Sequence, residues 1–506
     1  MSDAPGALRR APAERRPSAM GSICGLALVV CGGGLGLSAL VDLTDGAGDT
    51  AALAALGAAA GLAGALLRRS CRIPDRVPPK AALRAAATAL LTMIVTSALA
   101  YLATGAITTV DDALIEGTAG FTTTALTVLG NPETQGNGVL FWRAITQWIG
   151  GFAGLATVIA VLPFLGVGGP APTKAKAPSG AKHLHSPHVR RILRQYLELY
   201  ATLSAIGAGL YLLGGMGPFD AVTYAFTTIS TGGFANHAGS FTYFGSPTLE
   251  WMGVAGMFLG GLSLALAWCA LRGRHQVVLR SREFAAYCGL IGGATLVIAL
   301  VESPGATPME TLRLSAFTAT SAVSTTGHWA ADWAAWGSGP QLLIVALVGV
   351  GAMSGSSGGG FRVARAMALV SFLHREVIIQ LRPHAVQRVR VGDEVIEDRM
   401  VSRMLGYQVL FLITAAGGMV GLALSGADVV TATAGAVSSL ATFGPAPGEL
   451  GVGRSIAGLN DEALLVVGTL MFAGKVELYP VLDALAAGVT RPARAARRAL
   501  RRRAAT

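Results

Sequence analysis

Residues 120–127 read Gly-Phe-Thr-Thr-Thr-Ala-Leu-Thr, and three later stretches rhyme with them: Ser-Thr-Gly-Gly-Phe at 230–234, Ser-Thr-Thr-Gly-His at 324–328 and Ala-Thr-Phe-Gly-Pro at 441–445. Each closes an apolar run too short to cross a bilayer, near 111–123, 218–229, 310–323 and 428–440. Each run lies between two apolar stretches that are long enough. A single Gly/Thr turn of this kind is an ordinary tight connection. Four at matching places in a repeat ask for another reason. Irregular backbone at membrane depth is tolerated where protein buries it or where it lines a watery path. Four such hairpins around one axis can aim carbonyl oxygens at a dehydrated cation. The sequence therefore predicts an ion-conducting chain in which one polypeptide supplies all four quarters of a filter.

Composition agrees with that reading. The chain has 506 residues, 52% hydrophobic and 13% charged, with 67 glycines, which is far too apolar for a soluble domain. Apolar spans fall near 20–42, 50–67, 85–104, 140–167, 195–215, 248–271, 283–302, 340–371, 404–425 and 462–487, ten in all. Of 39 Lys and Arg, 35 fall in six places: 1–19, 68–84, 174–194, 272–282, 362–403 and 491–503. Ten spans put all six on one side, which the positive-inside rule makes cytoplasmic. The expectation is a multi-pass protein of the cell inner membrane with both termini inside. The net charge of +11 then faces anionic membrane lipids and a cytosolic partner rather than nucleic acid. The five cysteines show neither disulfide nor metal spacing.

The fold class expected is an all-α polytopic membrane protein: four helix–pore-helix–helix repeats around a central pore, preceded by two extra transmembrane helices. Residues 1–19 form a cytoplasmic tail and 20–80 the two extra helices. Repeat one covers 81–169, and a Pro/Ala/Lys-rich cytoplasmic loop follows at 170–189. Repeat two covers 190–275, repeat three 276–385 and repeat four 386–490. Residues 491–506 form a basic tail.

A filter needs inward carbonyls, and Gly permits the positive φ that can require. The expected ion-binding residues, with K⁺ as the transported ion, are Thr123, Thr124 and Ala125, then Ser230, Thr231 and Gly232, then Thr325, Thr326 and Gly327, then Thr442, Phe443 and Gly444. Gly232, Gly327 and Gly444 read as equivalent. Each short helix would turn its partly negative C-terminal end toward the axis, which favours a cation.

Residues 351–360, Gly-Ala-Met-Ser-Gly-Ser-Ser-Gly-Gly-Gly, interrupt the span near 340–371. Five glycines at about 1 kcal/mol each against a helix predict an unwound loop. Ser354, Gly355, Ser356, Ser357, Gly358, Gly359 and Gly360 are thus the expected gate, against the alternative of a small-residue packing surface. The Gly-Ser-Ser-Gly within it also spells the G-x-S-G of intramembrane serine proteases. That chemistry needs a Ser–His pair, and nothing places His328 or His374 there, so no enzyme is expected. Lys475 is the one basic residue in mid-span and is assigned to the gate region. A structural pair with a carboxylate, Glu477 or one on a neighbouring helix, is the competing reading. His237 and His328 are expected at the outer mouth, as are Asp111, Asp112, Asp220, Glu310, Asp332, Asp428 and Glu449, some of these acids serving only as caps.

Several of these stretches carry a family resemblance. Trp142-Arg143 and Gln147-Trp148-Ile149-Gly150-Gly151, running into 161–169, resemble the first filter-flanking helix of the TrkH family, the membrane subunits of bacterial Trk potassium-uptake systems in the Trk/Ktr/HKT superfamily. Residues 226–234 with Asn236-His237-Ala238-Gly239-Ser240 resemble its second filter, 354–362 its intramembrane loop, and 444–448 with Gly474-Lys475-Val476-Glu477 its fourth filter and following helix. The resemblance implies the four-repeat pore, a homodimer, and a cytosolic nucleotide-binding regulatory subunit of TrkA type that gates the channel. It implies an arginine where this chain has Lys475, and a glycine where it has Ala125. In related plant transporters, serine in place of that glycine accompanies sodium permeation, so a Na⁺-permeable or poorly selective pore is a second expectation. No phosphate loop ending GK[ST] occurs, so no organic cofactor is expected in this chain. An alternating-access carrier remains the other class. Its broken helices usually come as inverted repeats, whereas these four share one orientation.

Overall fold

The computed structural model describes residues 16–46, 48–74, 77–165, 187–384, 387–391 and 394–478. The start of the expected N-terminal tail, most of the cytoplasmic loop at 170–189 and the basic tail from 491 lie outside the described residues. Seventeen α-helices are assigned there: α1 (Ala19–Asp45), α2 (Thr50–Ser70), α3 (Pro79–Thr104), α4 (Val110–Thr122), α5 (Asn137–Leu165), α6 (Pro187–Leu213), α7 (Pro218–Ile229), α8 (Pro247–Gly261), α9 (Leu264–Leu271), α10 (His275–Leu279), α11 (Arg282–Val301), α12 (Pro308–Ser324), α13 (Ser338–Val350), α14 (Val363–Leu381), α15 (Asp398–Leu424), α16 (Val429–Leu440) and α17 (Asp461–Lys475). The only strands among the described residues form two minimal pairs, Arg16–Pro17 beside Cys71–Arg72 and Arg390–Val391 beside Glu394–Val395.

One arrangement recurs four times: α3-α4-α5, α6-α7-α8, α11-α12-α13 and α15-α16-α17. The short helices α4, α7, α12 and α16 are the expected re-entrant ones. Sequence starts each of them clearly. Thr109 and Thr307 accept from the N–H of Asp112 and Glu310, Asp428 accepts from Thr431, and Pro218 opens α7 without needing a donor. The acids expected at the outer mouth are in part these caps. The repeats also share a brace. Tyr200 on α6 donates to the Trp148 carbonyl (3.1 Å), and Tyr287 on α11 donates to that of Phe258 (3.3 Å), each two residues before the paired glycines Gly150-Gly151 and Gly260-Gly261.

Two helices precede the repeats, as expected. α1 and α2 pack at glycine distance: a Cβ on Gly32 would stand 2.7 Å from the Gly57 carbonyl oxygen. Six described helices are long and apolar enough to cross a membrane, namely α1, α2, α3, α6, α11 and α15. Large apolar side chains such as Leu213, Leu424 and Leu40 face outward, as a lipid-facing surface requires.

One span departs from the sequence reading. The stretch 248–271 was expected to run straight, but α8 and α9 meet at 111° around Leu262-Ser263. The break is stabilised from outside. Leu264 N–H donates to the Gly355 carbonyl (3.0 Å), and Met353 N–H donates to that of Gly261 (3.2 Å). The glycine-rich loop thus satisfies backbone groups that a bend would orphan. That same loop divides α13 from α14, where the interruption was expected.

Candidate functional site

The four hairpins turn in one way. One or two residues past each short helix stands a threonine in left-handed conformation: Thr123 (φ 56°), Thr231 (54°), Thr325 (55°) and Thr442 (55°). The next N–H reaches back to a carbonyl five residues earlier: Thr124 to Ala119 (2.9 Å), Gly232 to Thr227 (2.7 Å), Thr326 to Ser321 (3.0 Å) and Phe443 to Ser438 (3.0 Å). A non-glycine residue at positive φ costs of order 1 kcal/mol or more. Strain repeated at four equivalent places marks a constraint on the site rather than an accident of one turn.

This geometry sets the register, and it corrects one expectation. The residue two after the threonine is Ala125, Gly233, Gly327 or Gly444. Gly233 (φ 76°) therefore stands with Gly327 (90°) and Gly444 (114°), whereas Gly232 is not in the left-handed region. Ser230 falls before the threonine level, beside Thr122, Ser324 and Ala441. Two adjacent glycines hid this shift, because sequence does not say which of them takes positive φ.

The four third-level residues converge. A Cβ built on Gly233 would lie 2.7 Å from the Ala125 methyl carbon and in collision with the Thr326 carbonyl oxygen. One on Gly327 would collide with the Ala125 methyl, and one on Gly444 would lie 2.7 Å from the Ala125 nitrogen. Three hairpins have no room for a side chain here, and the fourth places one methyl group in that space. Ala125 is absent from the positive-φ residues, so the first hairpin follows a different backbone path. In the third and fourth hairpins a helix serine accepts from the glycine N–H and donates to the next carbonyl. Ser321 joins Gly327 (3.2 Å) to His328 (2.7 Å), and Ser438 joins Gly444 (3.0 Å) to Pro445 (2.9 Å). The first hairpin has Ala119 at that place and lacks the brace. The Ala125 N–H instead donates across to the Phe443 carbonyl (3.0 Å).

At the deep end of the hairpins the four threonine hydroxyls meet the expected gate. The Gly359 N–H donates to Thr325 Oγ1 (2.8 Å), and Thr231 Oγ1 donates to Ser357 Oγ (3.4 Å). A Cβ on Gly359 would stand 2.5 Å from Thr442 Oγ1 and in collision with the Ala441 carbonyl oxygen. Thr123 Oγ1 accepts from Lys475 Nζ (2.7 Å). Gly358, with Ser324 O 2.8 Å from its virtual Cβ, is equally confined. Ser354 N–H is held by Glu283 Oε1 (2.7 Å), and the Gly355 carbonyl by Leu264. Gly360, at φ 76°, packs on Gly351. The loop is thus a plug of backbone beneath three hairpins, and Lys475 stands beneath the other.

Repeat geometry explains the lysine. Gly150, Gly260 and Gly474 each abut a short helix's last carbonyls. The following residues, Gly151 and Gly261, abut Ser230 and Ser324 of the next hairpin, each at 2.9 Å from a virtual Cβ. Lys475 occupies the same place between the fourth repeat and the first. Glu477 is not its partner: that carboxylate receives Arg362 Nε (3.2 Å) and Arg365 Nη2 (2.8 Å). The alternative Lys475–Glu477 pair is therefore overturned. Arg143 and Arg313 are bound to buried Glu116 (2.8 Å) and Glu250 (2.7 Å), positions that read as framework. Removing one partner of such a buried pair costs about 3–5 kcal/mol.

The protease alternative finds no geometry. Ser356 and Ser357 hydroxyls donate to the carbonyls of Met353 (2.7 Å) and Ile229 (2.9 Å), while the His328 ring meets Thr227 (3.3 Å) and Ser240 (3.4 Å). His237 lies against Asp220 (3.2 Å) and is stacked on Tyr243. No group of His, Cys, Asp and Glu among the described residues could hold a metal ion.

Fold and site together define a multi-pass helical membrane protein whose four re-entrant hairpins meet on one axis, the build of a pore rather than of an enzyme. The family model described as TrkH, cation transport protein, matches residues 52–490, and the chain belongs to that family. It is 34% identical to the Trk system potassium uptake protein TrkI of Halomonas elongata over 376 residues, 73% of this chain and 76% of that one. It is 27% identical to the Trk system potassium uptake protein TrkH of Escherichia coli K12, over 74% of this chain and 78% of that one. The crystal structure of the potassium transporter TrkH from Vibrio parahaemolyticus superposes with a TM-score of 0.84 at 25% identity, covering 92% of this chain and 98% of that one.

Proposed function

We propose that this chain is the ion-conducting membrane subunit of a Trk-type system that takes up potassium across the cell inner membrane. Both termini then lie in the cytoplasm. The convergence of Ala125, Gly233, Gly327 and Gly444 on one point carries this reading. Carbonyls from four hairpins around that point can replace the hydration shell of a monovalent cation, and the short helices turn their negative ends toward it. Thr123, Thr231, Thr325 and Thr442 form the inner mouth, with Thr124, Gly232, Thr326 and Phe443 between.

The loop 354–360 and Lys475 act as the gate, because each engages a mouth threonine and the loop must move for an ion to pass. A homodimer and a cytosolic nucleotide-binding subunit of TrkA type complete the system by family likeness. One observation favours a second reading. The methyl of Ala125 stands where three hairpins have glycine, which fits a pore that discriminates K⁺ from Na⁺ weakly. Alternating access gains no support from four repeats of one orientation.

The test is cation flux from purified protein in liposomes. Wild type should carry K⁺ and Rb⁺, and Val at Gly233, Gly327 or Gly444 should abolish flux in protein that still folds. Normal transport by all three variants would sink the filter assignment.

A further inference from the structure

We infer that Gln147 is a positioning residue that sets the spacing of the first and second hairpins, and through it the cation discrimination of the pore. The inference rests on the filter reading above. Gln147 lies on α5, fully buried, in the wedge between these two hairpins. Its Nε2 donates to the Gly232 carbonyl (2.8 Å) and, at longer range, to that of Thr124 (3.4 Å). Its Oε1 accepts from the Phe234 N–H (3.0 Å). One side-chain amide therefore ties two second-level carbonyls, one from each hairpin, and pins the outgoing limb of the second.

Repeats two and four do not do this. Gln147 precedes Gly150 by three residues, and the residues three before Gly260 and Gly474 are Met257 and Met471. Both methionines are fully buried and fill the equivalent wedge with apolar volume. A methionine offers no donor to a carbonyl. The wedge between hairpins one and two is thus the polar one.

Gly232 supplies an independent sign. Its φ is not in the left-handed region, so the turn does not require glycine there. A Cβ on Gly232 would instead collide with the Gln147 amide, and would stand 2.9 Å from the Gln147 Cβ. Glycine at 232 is what lets the amide come close enough to bond. The two adjacent glycines have separate tasks: Gly233 clears the axis, and Gly232 clears Gln147.

The consequence is chemical. A carbonyl that accepts an amide N–H has its direction fixed and part of its negative charge engaged. With Thr124 and Gly232 held this way, hairpins one and two keep a set separation and cannot draw together around a smaller ion. A cage held at K⁺ size disfavours Na⁺, whose shorter coordination needs the carbonyls to close in.

The experiment compares Gln147→Met and Gln147→Leu with wild type in liposomes, reading the K⁺/Na⁺ permeability ratio from reversal potentials. Gln147→Met copies the wedge of repeats two and four. Gln147→Leu also removes the amide donors, with no charge and no O–H to replace them, and it serves if the methionine variant does not fold. Both should conduct with the ratio lowered about tenfold, the order expected when a buried hydrogen bond to charge-bearing groups is lost. Met257→Leu, a change of the same size in an apolar wedge, should leave the ratio within about twofold of wild type, as volume-conserving swaps do. An unchanged ratio in the Gln147 variants, with Gly327→Val still blocking flux, would overturn the role of Gln147 and leave the filter intact. If Gly327→Val conducts normally as well, the filter reading falls and this inference with it.

Discussion

Single residues carry the features that distinguish this pore. Ala125 sits where the other hairpins have Gly233, Gly327 and Gly444, and unlike those glycines it does not take a positive φ. It also lacks the serine brace, since Ala119 stands where Ser321 and Ser438 bond. Ala125→Gly frees this backbone to adopt the path of the other hairpins. We expect the K⁺/Na⁺ permeability ratio to rise about tenfold, equivalent to ~1.4 kcal/mol of relative binding, in reversal-potential measurements. An unchanged ratio would mean that the first hairpin does not set selectivity. Lys475 makes the opposite kind of contribution. Its ammonium bonds Thr123 Oγ1 at 2.7 Å, and no carboxylate shares it in the described structure. On the gate reading proposed above, a cation approaching that threonine meets like charge. Lys475→Met should therefore increase K⁺ flux per molecule, and flux equal to wild type in folded protein would remove Lys475 from the permeation path.

At the scale of elements, the loop between α13 and α14 and the bend between α8 and α9 are one construction. Each supplies backbone partners that the other lacks, through Leu264 with Gly355 and Met353 with Gly261. The loop's glycines are required by close approach more than by turn geometry. Gly358 and Gly359 touch the ends of the third and fourth short helices and are not among the positive-φ residues, unlike Gly351, Gly355 and Gly360. Gly359→Ala places a methyl against the Ala441 carbonyl and must push the loop off the hairpins. Single-channel recordings should then show altered open probability with the K⁺/Na⁺ ratio preserved. A changed ratio at wild-type open probability would assign the loop to the filter instead.

At the scale of the whole molecule, four repeats of one orientation close a ring, and the basic residues mark one side of it. In the topology proposed above, that side is cytoplasmic. In a variant with its five native cysteines replaced, a cysteine introduced at Arg274, exposed between α9 and α10, should react with a membrane-impermeant maleimide only from the cytoplasmic side. One introduced at Asp332 should react only from outside. Labelling of both from the same side would refute the topology. The outer surface of α1, α2, α6 and α15 is rich in exposed leucines, as a lipid-facing surface requires.

Much of this architecture is written in the chain itself. Apolar length and charge placement determine spans and sides, because a bilayer imposes one thickness and one charge rule on every segment. The short helices are legible for the same reason, together with their Thr, Asp and Pro starts. The glycine-rich loop is legible because helix propensity alone forbids it. What only the tertiary structure decides is every relation between segments distant in sequence. The turn at Thr231 gives Gly233 the positive φ, and what Gly232 packs against is Gln147, 85 residues away. The kink at Leu262 depends on a loop that follows it by some ninety residues. The choice between Glu477 and Thr123 as partner of Lys475 depends on Arg362 and Arg365, which claim the carboxylate first. Hydrogen bonds and close approaches of this kind act over about 3 Å in space and leave no local periodicity for a sequence to carry.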